Sequence, residues 1–337
     1  MSELEVTQIT DRAGTGKPNL SQGFKVSGTL DTTLVPTRTE GNTEPSTPAN
    51  GDTWYDTDND TYDVYLDGEW KRFLGTVATS GWIADVASFS GSSEEFSVAS
   101  QETTPRDVTF NADGTKMYIV GQSADSILQY SLSTAFNVST ASYDSVSYDP
   151  IGTNLHGLRF NSDGTKFYVL STPNLYQHSM STPYNVGTAS YDSVTFSFNA
   201  TAGNPYAFDI SPDGTKLIAV DFSLDVVYQY TMSTGFDLST LSYDSISLSV
   251  VGNSTNAFGI SWSTSGGAMY INDNTNGEIL QYLCSTAFDI STATYDDTFN
   301  YDSTFSNGNG LAFSSDGSKL YMTSSSTDKV HTILTGL

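Results

Sequence analysis

Cysteine is almost missing from this chain: Cys284 alone occurs in 337 residues, which excludes an intrachain disulfide and a thiolate metal cluster. Basic residues are scarce as well. Thirteen Lys and Arg stand against 38 Asp and Glu, a formal charge of −25, and without clustered cations a protein cannot displace counterions from a phosphate backbone. No nucleic-acid partner is expected. No stretch approaches the roughly 18 apolar residues of a membrane span, and the opening MSELEVTQITDRAG lacks the apolar core of a secretion signal, so a soluble protein made in a cytoplasm is expected.

What is present is repetition, on a hydrophobic content of 37% that suffices for a core. FNADGTKMYIV, from Phe110, returns as FNSDGTKFYVL from Phe160, ISPDGTKLIAV from Ile210 and FSSDGSKLYMT from Phe313, with most copies about fifty residues apart. A unit begins at Pro105 with two alternating stretches, RDVTF and KMYIV, flanking an Asp113-Gly114 turn, a strong hairpin signal because Gly accepts positive φ. ILQYSLS and YDSVSY follow, so each unit reads as a four-stranded antiparallel meander. Inner-strand copies begin near Asp107, Gly157, Ala207, Gly259 and Gly310, and the fourth unit carries SWSTSGGAMY in place of the Asp-Gly turn.

The count of fourth strands is offset. EEFSVA at Glu94 precedes any complete unit, and the last unit stops after VHTILT. SGWIADVASFSGSSEEFSV aligns without gaps on TAFNVSTASYDSVSYDP, placing Trp82 over Phe136 and Phe89 over Tyr143. An N-terminal fragment can therefore complete the C-terminal unit, sealing a ring and removing its open edges. The expected fold is all-β: a five-bladed β-propeller over residues 77–337, closed by a split blade. The aromatics Phe136, Tyr184, Phe236 and Phe288, and the Tyr-Asp pairs at Tyr143, Tyr191, Tyr243 and Tyr295, recur once per blade and are expected to lock blade to blade.

Before the repeats the composition changes. VPTRTEGNTEPSTPANG reads as a linker over 35–51, and GDTWYDTDNDTYDVYLDGEW as an aromatic β-hairpin module over 52–76. SPDGTKLIAV and STAFDISTATYD resemble YVTN-type propeller repeats, a likeness specific for fold. VTQITDRAGTGKPNLSQGFKVSG resembles the start of marine phage tail-fibre and virion proteins, and the GDTWYD hairpin is similar to a module of phage structural proteins. These resemblances imply a virion-attachment segment at 1–34, contacts of residues 1–76 with other virion structural proteins, and localisation on a particle in multiple copies.

Catalytic and metal motifs are weak. AGTGKPN lacks the phosphate-loop pattern, with Asp11 where its first Gly belongs and Pro18 after Lys17. Asp56, Asp58 and Asp60 have calcium-loop spacing, but Thr61 and Asp67 stand where Gly and Glu are needed, and an Asx-stabilised turn is the better reading. His156, His178 and His331 fall at different unit positions, so they imply no cluster. No cofactor, metal or catalytic residue is nominated, and the chain is expected not to be an enzyme. The alternative is a propeller-type hydrolase or lyase that degrades glycans. Function is instead expected where the repeats differ, on the rim formed by the second-to-third-strand loops and the loops entering the inner strands. Asp125, Asp225 and Asp328 occupy matching positions there, joined by Asn154, Asn204 and Asn256, a set suited to hydroxyl recognition. The expected function is a virion appendage, as capsid fibre, tail fibre or neck decoration, presenting its propeller to a host-surface glycan.

Overall fold

The computed structural model describes residues 94–301 and 307–335 in full, and before them the backbone of the strands Arg38–Gly41, Thr53–Asp56, Thr61–Leu66, Glu69–Phe73 and Ser88–Phe89. The segment read as virion-attaching, 1–34, lies outside the described residues. The chain divides into two units, Met1–Ala78 and Thr79–Leu337. In the first, Thr53–Asp56, Thr61–Leu66 and Glu69–Phe73 form an antiparallel meander, one strand more than a hairpin. Arg38–Gly41, inside the stretch read as linker, pairs parallel to Thr53–Asp56.

The second unit is a five-bladed β-propeller. Blade I runs Pro105–Phe110, Lys116–Gly121, Ile127–Leu132 and Ala141–Tyr148, each strand antiparallel to the next. Blades II, III and IV repeat this order from the inner strands Leu155–Phe160, Pro205–Ile210 and Ala257–Trp262, and blade V starts with Gly308–Phe313. Each inner strand packs against the next, and that of blade V against that of blade I, so the ring is closed. Second strands such as Lys116–Gly121 and Ala268–Asp273 are buried on both faces because each blade is sandwiched between two others, which is why their sequences are continuous apolar runs. Outermost strands such as Ala141–Tyr148 alternate because one face meets solvent.

The repeated turn is an inter-strand lock. Gly114, Gly164, Gly214 and Gly266 have φ of 70°, 69°, 73° and 72°, and an aromatic ring lies directly on each. A Cβ at Gly114 would sit 2.3 Å from the Phe136 ring, and Tyr184, Phe236 and Phe288 block the other three in the same way. The fourth blade thus keeps the glycine while Ser265 replaces the aspartate. Three of these aromatics, Phe136, Tyr184 and Phe236, also lock neighbouring blades, as expected from their spacing. The Tyr118 hydroxyl donates to the carbonyl of Tyr184 at 2.5 Å, Tyr168 to that of Phe236 at 2.5 Å and Tyr321 to that of Phe136 at 2.6 Å. The Tyr-Asp pairs act through glutamines. Asp144 accepts from Gln129 Nε2 at 2.8 Å, and Gln129 Oε1 accepts the Val186 amide of blade II at 3.2 Å; Asp192–Gln177–Leu238 and Asp244–Gln229–Ile290 repeat the relay.

The split blade has the expected composition. Lys329, Val330 and His331 pair with Ser97, Phe96 and Glu95, and Ser88–Phe89 continues along the same strand. Two ion pairs tie the ends of the ring: Lys319 to Glu94 at 2.8 Å, and Lys329 to Glu95. Removing residues from Lys329 onward strips the third strand of blade V and exposes two edges. That truncation is expected to aggregate, read by light scattering; a monomeric product melting at the temperature of the intact chain would contradict the seam.

Candidate functional site

All five inner strands carry a β-bulge at the same place. The register against the second strand slips between Pro105 and Asp107, Leu155 and Gly157, Pro205 and Ala207, Ala257 and Gly259, and Gly308 and Leu311. A bulge inserts an unpaired residue and re-aims its side chain. Here the residues at these positions, Arg106, His156, Tyr206, Phe258 and Asn309, converge at one mouth of the central channel and touch in succession. His156 lies 4.2 Å from Tyr206 and Tyr206 4.9 Å from Phe258, ring centre to ring centre. The Arg106 guanidinium sits 5.0 Å over the Phe258 ring and donates to Asn309 Oδ1 at 3.2 Å and Gln122 Oε1 at 2.6 Å. Phe222 adds a wall, stacked on Tyr206 at 4.6 Å. In a molecule built from copies, this ring holds five different side chains.

Directly beneath it the channel is plugged. Arg159 Nη1 pairs with Asp107 Oδ2 at 2.7 Å and Nε with Asp209 Oδ1 at 2.7 Å, while Nη2 reaches the carbonyls of Leu311 at 2.9 Å and Ile260 at 3.4 Å. One guanidinium, 8% exposed, thereby contacts every other blade. Asp107 also accepts the amides of Val108 and Leu158, each at 2.9 Å, and Asp209 those of Ile210 at 3.0 Å and Trp262 at 2.8 Å. Gly310 is required here, because a Cβ would lie 2.2 Å from Asp107 Oδ1. Burial pushes the Asp107 carboxyl up to about 6 against the pull of Arg159, while the two carboxylates hold Arg159 charged.

Two polar groups in the mouth are left over. Among the described residues Arg106 makes no ion pair; Glu102, the acid whose charge it feels, is spent on the Thr104, Ser123 and Ala124 amides of the rim loop. Its Nε is buried without a hydrogen-bond partner, as is Nδ1 of His156, a residue only 5% exposed. Burial and the nearby Arg106 push His156 down to about 4, so the ring is neutral at physiological pH.

The rim residues singled out in the sequence surround this mouth, joined in inter-loop bonds. Asp125 and Asp225 have φ of 52° and 50°, and their Oδ1 atoms accept the amides of Asn154 at 2.6 Å and Ala257 at 2.8 Å, tying each loop to the next blade. Asp328, φ 52°, accepts the Val98 amide through its carbonyl at 2.8 Å. Asn204 and Asn256 donate to Ser223 Oγ at 2.8 Å and Thr275 Oγ1 at 3.0 Å. The bulge ring was missed by the sequence reading although one column holds it: each member immediately precedes Asp107, Gly157, Ala207, Gly259 or Gly310. Among the described residues no group of three His, Cys, Asp or Glu is placed to hold a metal ion, and Cys284 is buried with its thiol pushed up to about 12.

No protein-family profile and no curated protein matches the chain. Among solved structures it is similar to a functionally unknown protein of Desulfotomaculum acetoxidans, with 13% identity, TM-score 0.42, and coverage of 65% of this chain and 62% of that one. A Lactobacillus plantarum protein gives 13% identity, TM-score 0.45, and coverage of 68% and 66%. A Bacteroides fragilis protein provisionally named a 6-phosphogluconolactonase gives 13% identity, TM-score 0.45, and coverage of 82% and 74%. The expectation that the chain is not an enzyme is corrected on this point: structures similar to it include proteins named as enzymes, so its architecture does not set catalysis aside.

Burial has a pH consequence. His156, His178 and His331 are each pushed from 6.5 down to about 4, so between those values the unfolded chain binds more protons. Their contribution is whole above pH 6.5 and lost as pH falls toward 4, about 2 kcal/mol each by pH 5. Asp107, raised from 3.8 to about 6, opposes this by about 1 kcal/mol. Urea unfolding is expected to show lower stability at pH 5 than at pH 7, and His178→Phe, which retains the stack on Phe167, to flatten the slope. Equal stability at both pH values would contradict the burial argument.

Proposed function

We propose that the chain is a recognition appendage of a phage particle, joined through residues 1–76 to other virion structural proteins and presenting its propeller to a host-surface glycan. The observation that carries recognition is the ring of five bulges: a scaffold of near-identical blades places five unlike side chains together at one channel mouth. The rim residues Asp125, Asp225, Asp328, Asn154, Asn204 and Asn256 form an outer contact zone around it. The virion half is supported by the likeness of VTQITDRAGTGKPN and GDTWYD to phage structural proteins. Display in many copies makes weak single-site contacts sufficient, since linked binding events raise effective concentration.

A second reading, cleavage of the bound glycan, is favoured by the neutral His156 with a free Nδ1 beside Arg106. Both readings are tested with the labelled full chain on host cells and on purified particles. Recognition predicts retention on cells that falls at least fivefold in Tyr206→Ala, and the virion reading predicts the chain among the proteins of washed particles. Attachment indifferent to Tyr206→Ala removes the mouth from recognition, and presence in infected-cell lysate only rejects the particle. On the second reading wild type releases glycan fragments with time and His156→Ala does not.

A further inference from the structure

Arg106 stands out in the mouth. Among the described cations of a chain with a net charge of −25, Lys116, Arg159, Lys216, Lys319 and Lys329 pair with carboxylates; Arg106 and Lys166 do not, and Arg106, at the mouth, has only the neutral oxygens of Asn309 and Gln122. Desolvation lowers its basicity, so holding a guanidinium there with no carboxylate in ion-pair contact costs stability. The two neutral acceptors fix the plane of the fork, and Phe258 supports its face. His156, buried beside it, has an unpartnered Nδ1. The partly exposed stack of Tyr206 on Phe222 continues the mouth as a flat apolar wall. A fork with one unmatched positive charge, next to an aromatic face, is a receptor for a planar monoanion attached to a ring.

We propose that the bulge ring binds an acidic sugar residue of a glycan, its carboxylate on Arg106 and its ring against Tyr206 and Phe222. This rests on the recognition reading above and names the ligand class for the same mouth. A monoanion matches the single unpaired charge, whereas a phosphate dianion leaves one charge uncompensated in an acidic protein. Asn309 and Gln122 are orienting groups, since they reach the ligand only through the guanidinium.

The full chain is titrated with glucuronate, glucose and glucose 6-phosphate, followed by NMR line shape or calorimetry, with a thermal melt of every variant. Glucuronate is expected to bind more tightly than both others. Arg106→Gln should weaken glucuronate about tenfold or more while leaving glucose unchanged, as loss of a charge-assisted bond requires. Arg106→Lys, which keeps the charge but not the fork, should recover only part. Equal binding of glucose and glucuronate overturns the proposal, as does an Arg106→Gln variant of native melting temperature that binds glucuronate like wild type. Tighter binding of glucose 6-phosphate also rejects the carboxylate. If Arg106→Gln unfolds, the comparison of the three ligands on wild type and Arg106→Lys decides. Cell attachment that depends on Tyr206 but is unaffected by Arg106→Gln and by competing glucuronate defeats this inference and leaves the recognition reading standing. Glucuronate binding without cell attachment does the reverse.

Discussion

The guanidinium of Arg159 is bound by blades I, III, IV and V alike. A charge buried this deeply is tolerable only when its donors are matched, and Arg159 meets two carboxylates and the carbonyls of Leu158, Ile260 and Leu311. Each carboxylate in turn collects backbone amides from its own blade and the next. The equivalent positions in the other inner strands are Thr109, Asp209, Ser261 and Ala312, so the fivefold repeat is broken at its axis. Five identical residues there would be five like charges or five apolar groups with nothing to fix rotation between blades. One arginine with two aspartates gives the ring a unique register.

That broken symmetry reaches the surface one residue away. Arg106 precedes Asp107 and His156 precedes Gly157, so the strands whose channel residues form the plug also carry the mouth. The bulge turns the preceding side chain over the axis instead of into the blade interface. The mouth therefore rests on a floor whose charged groups are held in hydrogen bonds. Loops supply the lip. Asp221 and Asp273 each accept several loop amides, and in blade I, where Gly121 replaces them, Glu102 reaches into the vacated space; a Cβ on Gly121 would lie 2.3 Å from its carboxyl carbon.

The architecture was legible because its causes are local. An Asp-Gly turn with an aromatic some twenty residues downstream is a turn whose glycine is covered by that ring, as at Gly114, Gly164 and Gly214, and Gly266 keeps the ring after Ser265 has replaced the aspartate. EEFSVA before the first unit and a missing strand after the last could be read as one blade. The site was less legible. Attention to loops led to Asp125 and Asp225, whose left-handed backbone and inter-blade bonds are visible only in three dimensions. Bulge positions look like ordinary strand residues in sequence, and nothing in a single chain marks them as inward-facing. The informative sign was variation: a column reading Arg, His, Tyr, Phe, Asn at the start of strands that otherwise repeat. The pairing of Arg159 with Asp107 and Asp209 had no local signal, since the three lie about fifty residues apart in successive units.

The most direct test of this account is the unfolding free energy of Arg159→Met compared with the triple variant Arg159→Met, Asp107→Asn, Asp209→Asn, measured in urea at pH 7. Leaving two buried carboxylates without their cation should cost about 3–5 kcal/mol, and neutralising them should return a substantial part of it. An Arg159→Met protein as stable as wild type, with the amide pair adding nothing, would show that the blades are held together without the central arginine.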